Sequence, residues 1–180
     1  MRRLLVSAVC SALFCAVAPL HAQRPIQIGV GGGVSLPAAD LRTGANTGWH
    51  VLGTAALSTL MQPIGLRLDV AYNRFGARAA LTGVAAENQS VGSATLNATY
   101  RLPMTDSPLS PYLISGLGAY RTECSGASTC GPTTRYGWNV GLGTKLYLLG
   151  ARSFLEARYH RTMRAGGSAQ FIPVTVGIMF

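Results

Sequence analysis

The sequence predicts an all-β fold, an eight-stranded antiparallel up-and-down barrel, and three observations carry the prediction. Apolar and polar residues alternate with a period of two in segment after segment, and the connections between those segments alternate between long and tight. The chain is also rich in glycine, with 22 Gly in 180 residues, while only 12% of it is charged. A helical bundle would need a 3.6-residue repeat and few glycines, and a disordered chain would not reach the 48% hydrophobic content found here. The length suits one domain.

The strands follow in order. Ile26, Ile28, Val30, Val34 and Leu36 oppose Gln27 and glycines, and Trp49 to Met61 gives a weaker alternation. Ile64, Leu66, Leu68, Val70 and Tyr72 alternate with Gly65, Arg67, Asp69, Ala71 and Asn73. Leu96, Ala98, Tyr100 and Leu102 alternate with Thr95, Asn97, Thr99 and Arg101. Tyr112 to Arg121 reads as a strand whose faces the pattern does not assign. Tyr136, Trp138, Val140, Leu142, Leu146 and Leu148 alternate with Gly137, Asn139, Gly141, Gly143, Lys145 and Tyr147, with Thr144 on the apolar face. Leu155, Ala157 and Tyr159 alternate with Glu156, Arg158 and His160. The last strand sets Ile172, Val174, Val176, Ile178 and Phe180 against Pro173, Thr175, Gly177 and Met179. Only a strand keeps such residues on separate faces.

Segments Pro37 to Gly48, Gly76 to Ser90, Thr122 to Thr134 and Met163 to Ala169 are long, whereas Gln62-Pro63 and Leu149 to Ala151 are tight. Long loops therefore gather at one end of the barrel and short turns at the other. Leu102 to Pro111 departs from this rhythm, with prolines at 103, 108 and 111.

Ahead of the strands, Arg2 and Arg3 precede an apolar run from Leu4 to Leu20 that ends in Leu20-His21-Ala22. This is the layout of a removable export signal, and residues 1–22 are expected to be cleaved, leaving 23–180 as one barrel domain. The formal charge of +9 suits nucleic acid or an anionic lipid surface. Export selects the lipid, and no nucleic-acid partner is expected. Without Arg2 and Arg3 the mature chain keeps 13 basic and 6 acidic residues. No later segment offers about 18 consecutive apolar residues, so no second helical span is expected.

Alternation by itself does not say which face is outside, since soluble barrels put apolar residues in and membrane barrels put them out. The polar face decides. It mixes Gly, Thr, Asn and Ser with Arg67, Asp69, Lys145, Glu156, Arg158 and His160, a composition for a narrow lumen whose ions pair with one another. Trp49, Tyr72, Tyr136 and Trp138 fall near the loop-side ends, and Tyr100, Tyr147 and Phe180 near the turn-side ends, where a bilayer has its two polar boundaries.

Pro111-Tyr112-Leu113, Gly116-Leu117-Gly118-Ala119-Tyr120, Gly137-Trp138-Asn139-Val140-Gly141 and the final strand Phe171 to Phe180 carry a resemblance. Over residues 24–180 the chain resembles the small outer-membrane barrel family that includes OmpX, the OmpA transmembrane domain and opacity-type adhesins. The resemblance implies a bacterial outer-membrane location and insertion by the barrel-assembly machinery, with Val176, Ile178 and Phe180 as the assembly signal. It also implies a structural or interaction barrel with surface-exposed loops, acting in envelope integrity or adhesion; a small-solute channel is an alternative.

A second alternative is enzymatic. Arg158-Tyr159-His160-Arg161-Thr162 looks a little like the His-x-Ser segment of the lipid A deacylase barrels, with His160 and Thr162 on one face. Thr162 stands where that family has Ser, and no acid follows Glu156 to orient the histidine, so the expectation is non-enzymatic. The three histidines have no clustered ligand spacing, and neither metal nor cofactor is expected. Gly31-Gly32-Gly33 and Gly141-Leu142-Gly143 lack the helix that a phosphate loop requires.

Arg42, Arg74, Arg78, Arg121, Arg135, Arg161 and Arg164 map to the long-loop end, making a cationic rim suited to the phosphates of lipopolysaccharide. Outer-membrane lipid and lipopolysaccharide are the expected partners. Cys10 and Cys15 belong to the signal, so Cys124 and Cys130 remain as one pair, expected to close the loop Thr122 to Thr134 as a disulfide that stabilises it by about 2 kcal/mol. Thiol titration of the mature protein, prepared without reductant and then unfolded, should find no reactive equivalents. Two would defeat the bridge.

Overall fold

The computed structural model describes residues 26–61, 63–76, 88–104, 109–125, 131–148, 150–163 and 169–180, without the side chains of 40, 43, 58–61, 124 and 125. The expected signal at 1–22 lies outside them, as do Arg78, Arg164 and Cys130; of Cys124 only the backbone is described. Eight strands run β1 (Ile26–Ala38), β2 (Gly48–Met61), β3 (Ile64–Phe75), β4 (Asn88–Arg101), β5 (Ser110–Ser125), β6 (Thr133–Leu148), β7 (Ala151–Thr162) and β8 (Gln170–Met179). Each pairs antiparallel with the next, and β8 returns to β1, giving a closed up-and-down barrel. The closing seam runs from Gly29 opposite Met179 to Ala38 opposite Gln170. Beyond it, the Phe180 amide donates to the Ile28 carbonyl at 2.7 Å.

The faces follow the alternation. Leu68 and Val176 are 52% and 55% exposed, while Asp69 and Arg158 are 2% and 4% exposed. An apolar band on the outside of a closed sheet belongs against hydrocarbon. Closure also leaves no free sheet edge, so the backbone groups of every strand have a neighbouring strand to pair with, which lipid requires.

Two expectations about boundaries need correction. Strand β4 begins at Asn88, inside the segment Gly76 to Ser90 expected as loop, and β5 runs to Ser125, past the expected loop start at Thr122, because Asn88 to Ser90 still pair with Glu123 to Ser125. The hairpins therefore rise further on the loop side than alternation shows. The first long loop contains one helical turn, α1 (Asp40–Gly44), entered through Ala39 at φ 44°. It tucks Leu41 and Ala45 against Phe75, Val91, Tyr120 and Phe171. This apolar cluster closes the bore at its loop end.

The faces of β5, unassigned by pattern, are set by the register. Tyr112, Ile114 and Tyr120 point into the bore, and Leu113 and Leu117 point out. Tyr147 shares its parity with Lys145, so it stands at the turn-side mouth and not in an outward girdle.

Leu96 sits mid-strand on the outer face, paired with Leu68 and Leu117. Leu96→Arg should lower stability by about 2–4 kcal/mol in urea unfolding from phospholipid vesicles. A loss under about 1 kcal/mol would mean that this face is not in hydrocarbon.

Candidate functional site: a sealed lumen and two cationic rims

Eight strands leave a bore that side chains must fill. Large side chains enter it where a facing residue has none. A Cβ on Gly143 would lie 2.5 Å from the Tyr112 ring, one on Gly137 2.8 Å from Tyr120, and one on Gly177 2.3 Å from Phe154. These glycines are sockets for rings on neighbouring strands. Gly116 does the same for polar groups: it lies between Asn97 and Asn139 in the register, and across it the Asn139 amide donates to the Asn97 side-chain oxygen at 2.8 Å.

At mid-bore, four ions meet. Strands β3 and β7 are four strands apart in either direction around the barrel, so their inward side chains face each other across the full bore. Arg67 reaches Asp69 at 3.0 Å and Glu156 at 2.8 Å; Arg158 reaches Asp69 at 2.8 Å and Glu156 at 2.7 Å. All four are almost wholly buried. Two positive and two negative charges leave the cluster neutral. Further donors complete it: Tyr112 donates its hydroxyl to Glu156 at 2.7 Å, and Asn97 its amide to Asp69 at 3.0 Å. Arg67 also lies over the Phe154 ring at 5.8 Å. Charges taken out of water this far must be paired, and each of the four has two oppositely charged partners, although Asp69 Oδ1 is left without a hydrogen bond.

Between the ions and the apolar cluster lies a neutral polar layer. Ser35 donates to the Asn73 side-chain oxygen at 2.8 Å and sits 3.1 Å from His50 Nδ1, while His50 Nε2 is 2.8 Å from the Thr175 hydroxyl. His160 belongs here and not with the ions. Its Nδ1 is 3.0 Å from the Tyr120 hydroxyl, and its ring stacks on Phe171 at 5.0 Å.

His160 and Thr162 do share the lumenal face. The Thr162 hydroxyl, however, bonds the backbone of Ala169, accepting from its amide at 3.0 Å, and Tyr120 holds the histidine. No carboxylate orients this ring among the described residues. The arrangement is that of a packed hairpin end.

Lys145 also stands apart from the ion cluster. Its register partners are Ser110 and Phe154, one inward position nearer the turns than Gly143 and Glu156, and the carboxylates are already engaged by the two arginines. Tyr112 and Tyr120, which alternation does not assign, are lumenal residues missed by sequence reasoning, as are Ser35, His50 and Phe154. The tyrosines' signal was present in Gly116 and Gly118, which share their parity.

On the outer surface at the loop end, Arg74 pairs across strands with Trp49, and Arg161 with Trp138. Trp49 packs on Tyr72 at 6.0 Å and Trp138 on Tyr159 at 5.6 Å. An aromatic belt followed by a ring of cations is the order expected where hydrocarbon gives way to headgroups. Arg121 lies at the same end and pairs with Glu123 at 2.7 Å; Arg42 and Arg135 are exposed there too. Val176 and Ile178 are exposed on the outer face of β8, and Phe180 just beyond its end.

Removing one ion of the cluster should cost more than removing a pair. Asp69→Ala leaves two buried guanidiniums facing one carboxylate, an expected loss of about 3–5 kcal/mol. Asp69→Asn combined with Arg158→Met should be much milder. Both are measured as urea midpoints of the gel-mobility shift between folded and unfolded barrel, and equal losses for the two variants would refute the cluster's cross-bore role.

Comparison with known proteins agrees with this geometry. The family model described as "Outer membrane protein beta-barrel domain" matches residues 7–180. No curated protein matches the chain. Among solved structures, Neisserial surface protein A is similar with a TM-score of 0.64 at 18% identity, covering 87% of this chain and 96% of that one. The N-terminal β-barrel domain of Pseudomonas aeruginosa OprF gives 0.51 at 18% identity, covering 86% and 96%. The Yersinia pestis attachment invasion locus protein Ail, in a complex with the heparin analogue sucrose octasulfate, gives 0.50 at 11% identity, covering 87% and 100%. At these identities the neighbours share a fold. With the family model spanning nearly its whole length, this chain belongs to the outer-membrane β-barrel domain family and resides in the bacterial outer membrane.

Proposed function

We propose that the protein is a non-conducting, non-enzymatic barrel that acts at the cell surface by holding lipopolysaccharide at its loop-side rim. The barrel thereby contributes to envelope integrity and presents its loops for adhesion or partner contact. The reading rests on Arg74 and Arg161, each set directly beside a Trp of the loop-side aromatic belt, with Arg121 at the same end. Guanidinium groups at that depth meet the phosphates of the outer leaflet and bind them bidentately. Arg42 and Arg135 extend the rim, and Arg78 and Arg164 belong to it by sequence. Ail, a barrel of the same fold, has been solved with a polysulfated ligand, which supports anion recognition as a use of this architecture.

Supporting the non-conducting part are the apolar cluster under α1, the neutral polar layer and the cross-bore ions, stacked along the lumen. Export by the 1–22 signal, assembly through the Phe180 terminus and a Cys124–Cys130 bridge complete the reading.

Refolded protein in a planar bilayer should carry no steady current, and a sustained conductance would overturn the sealed-lumen part. The triple variant Arg74→Gln, Arg121→Gln, Arg161→Gln should co-purify with less lipopolysaccharide and lower the detergent resistance of cells. If both stay at the wild-type level, the rim does not bind lipopolysaccharide.

A further inference from the structure

The turn-side end of the bore differs from the loop-side end. Among the described residues it carries no apolar cap but opens as a blind cavity of about 50 Å³, closed on the inside by Arg67, Tyr112 and Phe154. Lys145, Arg101, Ser110 and Thr99 supply its polar wall, and Ala56 and Met179 contribute apolar surface. In a barrel whose short turns face the periplasm, this cavity opens to the periplasm.

The charges in it are unbalanced. Arg67 is matched by Asp69 and Glu156, and both oxygens of Glu156 are engaged. Among the described residues, neither Lys145 nor Arg101 meets a carboxylate. Arg152, two residues before Phe154 on the same face of β7, adds another cation at the mouth. Of the chain's six acids, the three whose side chains are described lie elsewhere. Asp69 and Glu156 are in the cluster, Glu123 pairs with Arg121, and Asp40 and Glu87 belong to loop-side connections. Asp106, in the turn-side connection, is outside the described residues.

A half-buried ammonium beside a guanidinium, with two hydroxyls and no carboxylate side chain among the described residues to pair with it, is an arrangement that an anion completes. The volume corresponds to a few water molecules, the size of one carboxylate or phosphate group. We propose that the turn-side cavity is a periplasm-facing anion site in which Lys145 and Arg101 hold a carboxylate or phosphate group, with Ser110 and Thr99 donating to its remaining oxygens. Two sources of that group are distinguishable. A free anion would use the polar wall alone, whereas the headgroup of a single-chain amphiphile would also rest its first methylenes on Ala56 and Met179.

The test is amide NMR of the full mature protein in zwitterionic micelles, titrated separately with inorganic phosphate, octanoate and, as the uncharged control, octanol. Saturable shifts confined to turn-side residues such as Ser110, Lys145 and Phe154 are expected with an anion and not with octanol. Saturation by phosphate identifies a free anion, and saturation by octanoate alone identifies an amphiphile headgroup. Lys145→Gln with Arg101→Gln should raise the apparent Kd about tenfold or more.

The proposal is overturned if neither anion shifts the turn-side signals, if octanol shifts them equally, or if the shifts map to the loop end. It is equally overturned if only Asp106→Asn binds, because the chain's own acid would then fill the cavity. The wild-type map does not depend on whether the double variant folds.

Discussion

In hydrocarbon no water is available to an unpaired amide or carbonyl, so a sheet that crosses a bilayer must close on itself. Everything else in this molecule follows from that closure. Strand β8 has to find β1, every strand must then show one face to lipid and one to the bore, and the bore of eight strands is too narrow to stay empty. The outer face has a simple chemistry, Leu, Ile, Val and rings. The inner face has a packing problem.

Two devices solve it. One is steric: Gly137, Gly143 and Gly177 lack the side chains that would collide with Tyr120, Tyr112 and Phe154, so each ring lies flat against a neighbouring strand. The other is electrostatic. Arg67, Asp69, Glu156 and Arg158 lie on opposite walls and cancel across the bore, which fixes β3 relative to β7 without any shared backbone hydrogen bond. Such a cluster adds little net stability over an apolar filling, but it penalises any closure that leaves one member unpaired. It therefore favours one register of the barrel over its neighbours.

The ends then divide by charge and polarity. The loop end carries an apolar cap beneath α1 and, outside it, arginines beyond an aromatic belt. The turn end carries Lys145 and Arg101 around an open cavity. The middle is neutral by construction, so the excess positive charge of the chain is displaced to the two rims, where anions of the envelope can reach it.

The sequence by itself determined which residues of six strands face lipid, since consecutive Cβ atoms on an extended chain alternate sides by covalent geometry alone; the weak alternation of Trp49 to Met61 left β2 undecided. Long connections at 37–48 and 163–169 against the tight one at 62–63 likewise told one end of the barrel from the other. Strand β5 escaped because neither face is uniform: the inward one mixes Tyr112, Ile114 and Tyr120 with Gly116 and Gly118, and the outward one mixes Leu113 and Leu117 with Ser115 and Ala119, so the contrast that pattern reading depends on is missing. Tertiary structure alone decided that β3 ions meet β7 ions, that His160 leans on Tyr120 and Phe171, and that Lys145 is left out of the cluster. The ion contacts join residues 89 positions apart across the bore, and Tyr120 meets His160 from 40 positions away. They depend on strand number, stagger and closure, which no local stretch of sequence encodes.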